Sequence, residues 1–226
     1  MRKLVVLALL LGWAVCAYAG PTTFEFLAWN NGEWQNGYPY IITPLGQPNG
    51  QIIAVMCDDW AHSGAPGETW DANITQLGTG NISLTRFNQI PQGPNALAPL
   101  TVYEEAGWIL LQTQMEQSTE WKPMTYAVWH IFDSDAPCDA ECGMWIQMAM
   151  GQASQHFPGS DFDRVYVITP LNQHDPDPHG IQEFLALGTD NGLVDPRHGG
   201  STVPEPGTLL LMGTGLLGLV GRKFWN

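Results

Sequence analysis

The sequence predicts an α+β domain: an antiparallel β-sandwich or barrel with a three-helix insertion, flanked by an N-terminal signal peptide and a C-terminal transmembrane helix. Three observations carry this. Aromatic and β-branched runs separated by Asn-Gly turns fill the first part of the chain, apolar residues at helical spacing follow Pro99, and strand character returns near residue 164. Strands, then helices, then strands point to one domain with helices inserted in its sheet, and residues 20–189 are enough for such a domain with a sizeable core.

Residues 22–29 (TTFEFLAW) alternate and read as a strand, with a turn at Asn30-Asn31-Gly32 and another at Asn36-Gly37. Residues 38–43 (YPYIIT) and 51–58 (QIIAVMCD) are two strands joined through Asn49-Gly50, a hairpin signal. Residues 69–76 and 82–87 read as further strands, split by Gly78 and Gly80. Thr101 and Glu104 have capping-box spacing and predict a helix over 102–115. A second helix is predicted over 123–132, where Pro123 suits the first turn, and a third over 141–156, stopped by Pro158-Gly159. Residues 164–169 (RVYVIT) and 181–187 (IQEFLAL) are the last strands, and residues 190–202 read as a polar linker.

Both ends look like processing segments. Arg2 and Lys3 precede an apolar run over 4–15, and Ala17-Tyr18-Ala19 offers small residues for cleavage before Gly20, so residues 1–19 read as a secretory signal peptide. At the other end Val203, Pro204, Glu205 and Pro206 form a rigid block, residues 207–221 are apolar, and Arg222 and Lys223 close the run. Flanking residues can snorkel and the bilayer can thin around so short a span, and the basic pair predicts a cytoplasmic C-terminus.

This tail closely resembles the PEP-CTERM sorting signal, on residues 203–226. The resemblance implies a Gram-negative envelope protein. Exosortase, a membrane enzyme, would cut near the PEP block of such a protein and release or re-anchor it as a cell-surface or extracellular product. It also implies an association with exopolysaccharide, biofilm and extracellular matrix. The body, through YPYIIT, VMCDDW, YEEAGWILLQ, TYAVWHIFD, VYVITP and IQEFLAL, looks like a recurring type among PEP-CTERM proteins and is distantly similar to thioester-domain surface proteins. In those proteins a Cys after the early strands bonds to a Gln before an Ala-hydrophobic-Trp motif. Here the matching position before Tyr126-Ala127-Val128-Trp129 is Thr125, whose hydroxyl cannot form an acyl thioester with Cys57, so no internal thioester is expected.

The formal net charge is −14, and four of the eight basic residues (Arg2, Lys3, Arg222, Lys223) sit in the end segments. A basic footprint for nucleic acid is absent, so no nucleic-acid partner is expected. The exported compartment permits disulfides, and Cys138 and Cys142 are close enough in sequence to pair, which leaves Cys57 unpaired and read as buried. Asp133, Asp135, Asp139 and Glu141 are a candidate Ca²⁺ loop, although a solvated acidic loop clipped by the disulfide is the preferred reading. His174, Asp175, Asp177 and His179 in HDPDPHG are a candidate transition-metal loop, again with a surface loop preferred. No cofactor is assigned. Trp29, Trp34, Tyr38, Tyr40, Trp60 and Trp70 fit either a core or a sugar-stacking surface, the core being preferred for most of them. No nucleophile elbow, Walker loop or HExxH occurs, and a Cys57 pairing with His130 or His156 cannot be placed from sequence. The expected function is a non-enzymatic exported envelope or matrix protein, with a carbohydrate-binding module or a polysaccharide hydrolase as alternatives.

Overall fold

Each strand of this domain alternates in side-chain direction, and the sheet uses that alternation to separate two cores. The computed structural model describes residues 21–29, 37–46, 52–89, 97–153, 162–171, 180–189 and 192–193. Its strands are β1 (Thr22–Ala28), β2 (Tyr40–Pro44), β3 (Ile53–Cys57), β4 (Thr69–Gln76), β5 (Val165–Pro170), β6 (Phe184–Thr189) and the short β7 (Gly192–Leu193). The helices α1 (Pro99–Gln112), α2 (Trp121–Phe132) and α3 (Ala140–Ala153) fall between β4 and β5. The sheet runs β3-β2-β1-β4-β5-β6, and an antiparallel β3–β6 pairing closes it into a six-stranded barrel. Of the two architectures left open by the sequence, the barrel is the one formed. Closure leaves none of its six strands as an unpaired edge.

Inward positions fill the lumen: Phe24 and Phe26 of β1, Tyr40 and Ile42 of β2, Ile53, Val55 and Cys57 of β3, with Trp70, Ile168 and Phe184. Trp129 of α2 joins that cluster. The outward positions Met56, Val165, Val167 and Leu185 belong instead to the layer shared with Val102, Ala106, Met124 and Val128 of the helices. β5 is therefore buried along its whole length, one face in the lumen and the other under the helices. Gly107 lets α1 approach the wall: a Cβ there would lie 2.9 Å from Leu77 and 3.3 Å from Val165. Gly37 does the same for the chain entering β2. Its φ is +71°, and a Cβ would meet the Thr125 hydroxyl at 2.6 Å.

Several boundaries differ from expectation. Residues 82–87 are not a strand but successive turns, because local bonds compete with the ladder: the Thr85 hydroxyl donates to Ile82 O at 2.8 Å and Ser83 N donates to Asn81 Oδ1 at 3.2 Å. α1 starts at Pro99 after Ala98, with no side-chain cap, so Thr101 and Glu104 lie inside the helix rather than forming its capping box. Proline at the first position supplies the start instead. Gly192–Leu193, within the stretch expected to be linker, pairs with Gly188 and Thr189 of β6. Residues 1–20, which include the expected signal peptide, lie outside the described residues, as does the tail beyond 193. No helix among the described residues is long and apolar enough to cross a membrane.

Candidate binding cleft at the barrel mouth

One end of the barrel gathers the C-terminal ends of β1 and β3 with the N-terminal ends of β4 and β6, as their antiparallel registers require. The chain leaves β3 there through Asp58, Asp59 and Trp60 and folds back over 61–68 before entering β4. A cleft of about 500 Å³ opens at this end, lined by Trp29, Trp60, Trp129, His62, Glu68 and Gln182 among others. Trp129 is fully buried and forms the floor, while Trp29 and Trp60 are half-buried. The Trp60 and Trp129 ring centroids are 4.9 Å apart, and Tyr126 stacks on Trp129 at 5.3 Å. The loop is held at several points. Gly67 N donates to Phe26 O at 2.8 Å, Phe26 N donates to Glu68 O at 2.9 Å, and Ala65 N donates to the Glu68 carboxylate at 2.9 Å. Gln182 donates its amide N–H groups to the carbonyls of His62 and Asp59, the second at 3.3 Å. These bonds fix the walls of the cleft, as expected of a largely pre-formed site.

Behind the cleft lies a buried charged network. Arg86 donates through Nη1 to Asp59 Oδ2 and through Nη2 to Ile181 O at 2.9 Å. Asp59 Oδ1 lies 2.8 Å from His62 Nδ1, so the same carboxylate orients a ring that lines the cleft. Glu183 accepts from the Tyr103 and Thr169 hydroxyls and from Arg86 N at 2.8 Å. Asp58 is fully buried, and neither of its carboxyl oxygens has a hydrogen-bond partner in normal geometry. Burial first, then the charges of Glu183 and Asp59, hold its carboxyl well above the usual range. Burial also raises Glu183, against the bonds from Thr169 and Tyr103. Both shifts run upward, so burial favours a proton shared within the Asp58–Glu183 pair, which lowers the cost of burying three acids beside one arginine. Cys57 is buried beside them. Its thiol donates to Asp59 O at 3.2 Å and accepts from Asp59 N at 3.3 Å. Burial and then the Asp59 and Asp58 charges push the thiol well above its ordinary range, which disfavours the reactive thiolate.

The comparisons with known proteins bear on the other end of the chain. Residues 202–223 match the family model of the PEP-CTERM protein-sorting motif. The chain carries a PEP-CTERM sorting signal. The matched segment includes Val203, Pro204, Glu205, Pro206, Arg222 and Lys223. It marks an extracellular protein that is exported, held at the membrane for processing, and sorted by exosortase as its processing partner. No curated protein and no solved structure matches the chain.

The remaining candidate residues are placed as follows. Cys138 and Cys142 are disulfide-bonded, with Cα atoms 5.3 Å apart. Asp133, Asp135, Asp139 and Glu141 do not gather into a cation site: among the described residues no group of three or more His, Cys, Asp or Glu is placed to hold a metal ion. Asp133 instead accepts from Asp135 N at 2.9 Å as a turn, and Asp139 accepts from Cys142 N at 2.9 Å as a cap for α3. Thr125 donates to Trp121 O and accepts from Tyr38 N, each at 2.9 Å, so its hydroxyl is engaged with backbone and not with Cys57. His130 Nδ1 lies 3.0 Å from Ala136 O. His156, Trp34, the HDPDPHG loop (174–179), Ala17, Ala19, Gly20 and the tail residues lie outside the described residues. Of the six aromatics singled out, Tyr38, Tyr40 and Trp70 are buried, and Trp29 and Trp60 reach the cleft. Sequence reading missed Trp129, His62, Glu68, Arg86, Gln182 and Glu183. One signal was available: Gln182 and Glu183 interrupt an otherwise apolar strand run, and acids in such runs need buried partners.

Proposed function

We propose that this exosortase-sorted extracellular protein binds matrix polysaccharide in the cleft at the barrel mouth, without turning it over. The observation that carries the reading is the association of Trp29, Trp60 and Trp129 with His62, Glu68 and Gln182 in one cleft of about 500 Å³. The half-buried Trp29 and Trp60 indoles, backed by buried Trp129, offer apolar area to the C–H faces of sugar rings, and the polar groups beside them can bond hydroxyls, which is the mixture that ligand pockets use for orientation. Export places the protein where polysaccharide is found. Among the described residues lining the cleft Glu68 is the carboxylate, whereas glycoside hydrolysis ordinarily uses two, which favours binding alone. The test is co-sedimentation of the protein, purified from its exporting host, with matrix polysaccharide from that host. Trp60→Ala is expected to weaken binding about tenfold or more, since truncating an interface Trp commonly costs ~2 kcal/mol. Unchanged binding overturns the reading, and release of reducing ends selects a hydrolase instead.

The export route carries a proposal of its own. We infer that residues 1–19 are removed between Ala19 and Gly20, and that 207–221 span the inner membrane while exosortase acts at Pro204-Glu205-Pro206, a sequence whose prolines disfavour helix. N-terminal sequencing should begin at Gly20. Loss of the 203–206 block should leave export intact and abolish processing on an immunoblot of cell and medium fractions, and normal processing without the block overturns this.

A further inference from the structure

The charge around the cleft bears on which polysaccharide it takes. The chain carries 22 acids against eight Lys and Arg. Among the described residues the cations are Arg86, Lys122 and Arg164, and none of them lines the cleft. Arg86 is the nearest by connection, yet its side chain is 6% exposed and is paired with Asp59 and the Ile181 carbonyl. Lys122 lies over the Tyr126 ring, 5.6 Å from its centroid, and Arg164 bonds to Gly188 O and Gln114. The cleft itself contributes Glu68, which is part-exposed and held by the Ala65 N–H at 2.9 Å, so its carboxylate is fixed at the wall rather than free to swing away. Ordinary carboxylates are ionised at neutral pH. A ligand in this cleft thus meets the Glu68 carboxylate with no lysine or arginine among the described lining residues, and the His62 ring beside it has its Nδ1 held by Asp59 Oδ1 at 2.8 Å.

From this we infer that the cleft selects neutral or amino sugars and rejects uronic acids, with Glu68 as the residue that sets the preference. The inference rests on the carbohydrate reading above and adds the ligand's charge class. An ammonium on a sugar ring would gain from Glu68, a ring with hydroxyls alone would rely on the tryptophans, and a carboxylate would be repelled both by Glu68 and by the net charge of the protein.

The experiment uses three β-1,4-linked hexamers that share a backbone: glucose, glucosamine and glucuronic acid. Each is titrated into the purified protein and into Glu68→Gln at low salt and about pH 5.5, where a ring amine is an ammonium and an ordinary carboxylate is still ionised. Glucosamine is expected to bind about fivefold more tightly than glucose, on the order of one charge contact near water, and glucuronate more weakly than either. The glucosamine advantage should shrink as salt is raised. Glu68→Gln keeps an acceptor for Ala65 N–H and removes the charge, so it should bring the glucosamine-to-glucose affinity ratio down to about one and narrow the gap between glucose and glucuronate. Equal binding of all three hexamers, or a preference for glucuronate, overturns the charge selection and leaves the carbohydrate reading standing. A glucosamine-to-glucose ratio that stays the same in Glu68→Gln overturns the assignment of Glu68 as a charge filter. Binding of none of the hexamers at millimolar concentration overturns the carbohydrate reading and the inference with it.

Discussion

Two acid-rich segments of this chain meet opposite fates. The loop holding Asp133, Asp135, Asp139 and Glu141 is denser in carboxylates, and sequence made it the candidate cation site. It stays largely exposed, and two of its acids serve the backbone as a turn and a cap. Asp58 and Asp59 follow Cys57 at the end of β3. They are fully buried with Glu183 and lie behind the cleft. The difference lies in solvation. Water stabilises exposed carboxylates at no cost to the fold, so they can be dense and unpaired. Buried carboxylates must be matched by a cation, by donors or by a proton, and the structure supplies Arg86, the Tyr103 and Thr169 hydroxyls and a raised Asp58 in turn. Acid density in a sequence therefore does not mark the acids that the fold buries and must match.

The contrast is sharpest for Arg86. Arg86→Met leaves Asp59 buried without its cation and removes the bond to Ile181 O, so unfolding in denaturant should show a loss of about 3–5 kcal/mol. A loss below about 1 kcal/mol would put the network on the same footing as the exposed loop.

The pH dependence comes next. Asp58 has its folded pKa raised, so above about pH 4, the ordinary carboxylate range, the unfolded chain gives up a proton that the native state keeps. Stability therefore falls as pH rises through that window, by at most about 1.4 kcal/mol per pH unit for one group. Glu105, pushed up to about 7 by burial and by Glu104, adds the same sign between about pH 4 and 7. Asp58→Asn should flatten the Asp58 part of the slope in urea melts taken across pH. An unchanged slope would show that Asp58 titrates as an ordinary surface acid.

The exposed loop should respond more weakly. Replacing Cys138 and Cys142 by Ser opens a short disulfide loop, and chain entropy predicts a loss of about 2 kcal/mol. Asp139→Ala removes the bond to Cys142 N and should cost about 1 kcal/mol by thermal melting, whereas Asp135→Ala should fall within about 0.5 kcal/mol. A loss at Asp135 as large as that at Arg86 would break the comparison.

Sequence by itself determined the local structure and the sorting tail. TTFEFLAW and YPYIIT alternate because one face of each strand is apolar, and that period survives in β1 and β2, whereas β4 keeps it only as far as Ala72, with Ile74 exposed and Thr75 buried beyond it. The tail was legible because its three parts are contiguous and each acts locally. Wherever side chains answer to the adjacent backbone, as in the Asp133 turn and the Asp139 cap, the consequences were near at hand in the chain. Tertiary structure alone decided that the sheet closes, because closure is the β3–β6 pairing between segments more than 120 residues apart. In 82–87 both act: the turns are held by local side-chain bonds, and only the reach of Arg86 to Asp59 needs the tertiary fold. The cleft needed the same long-range geometry. Trp29, Trp60, Trp129 and Gln182 come from four separate segments, and no local period marks residues that meet only after the barrel has closed.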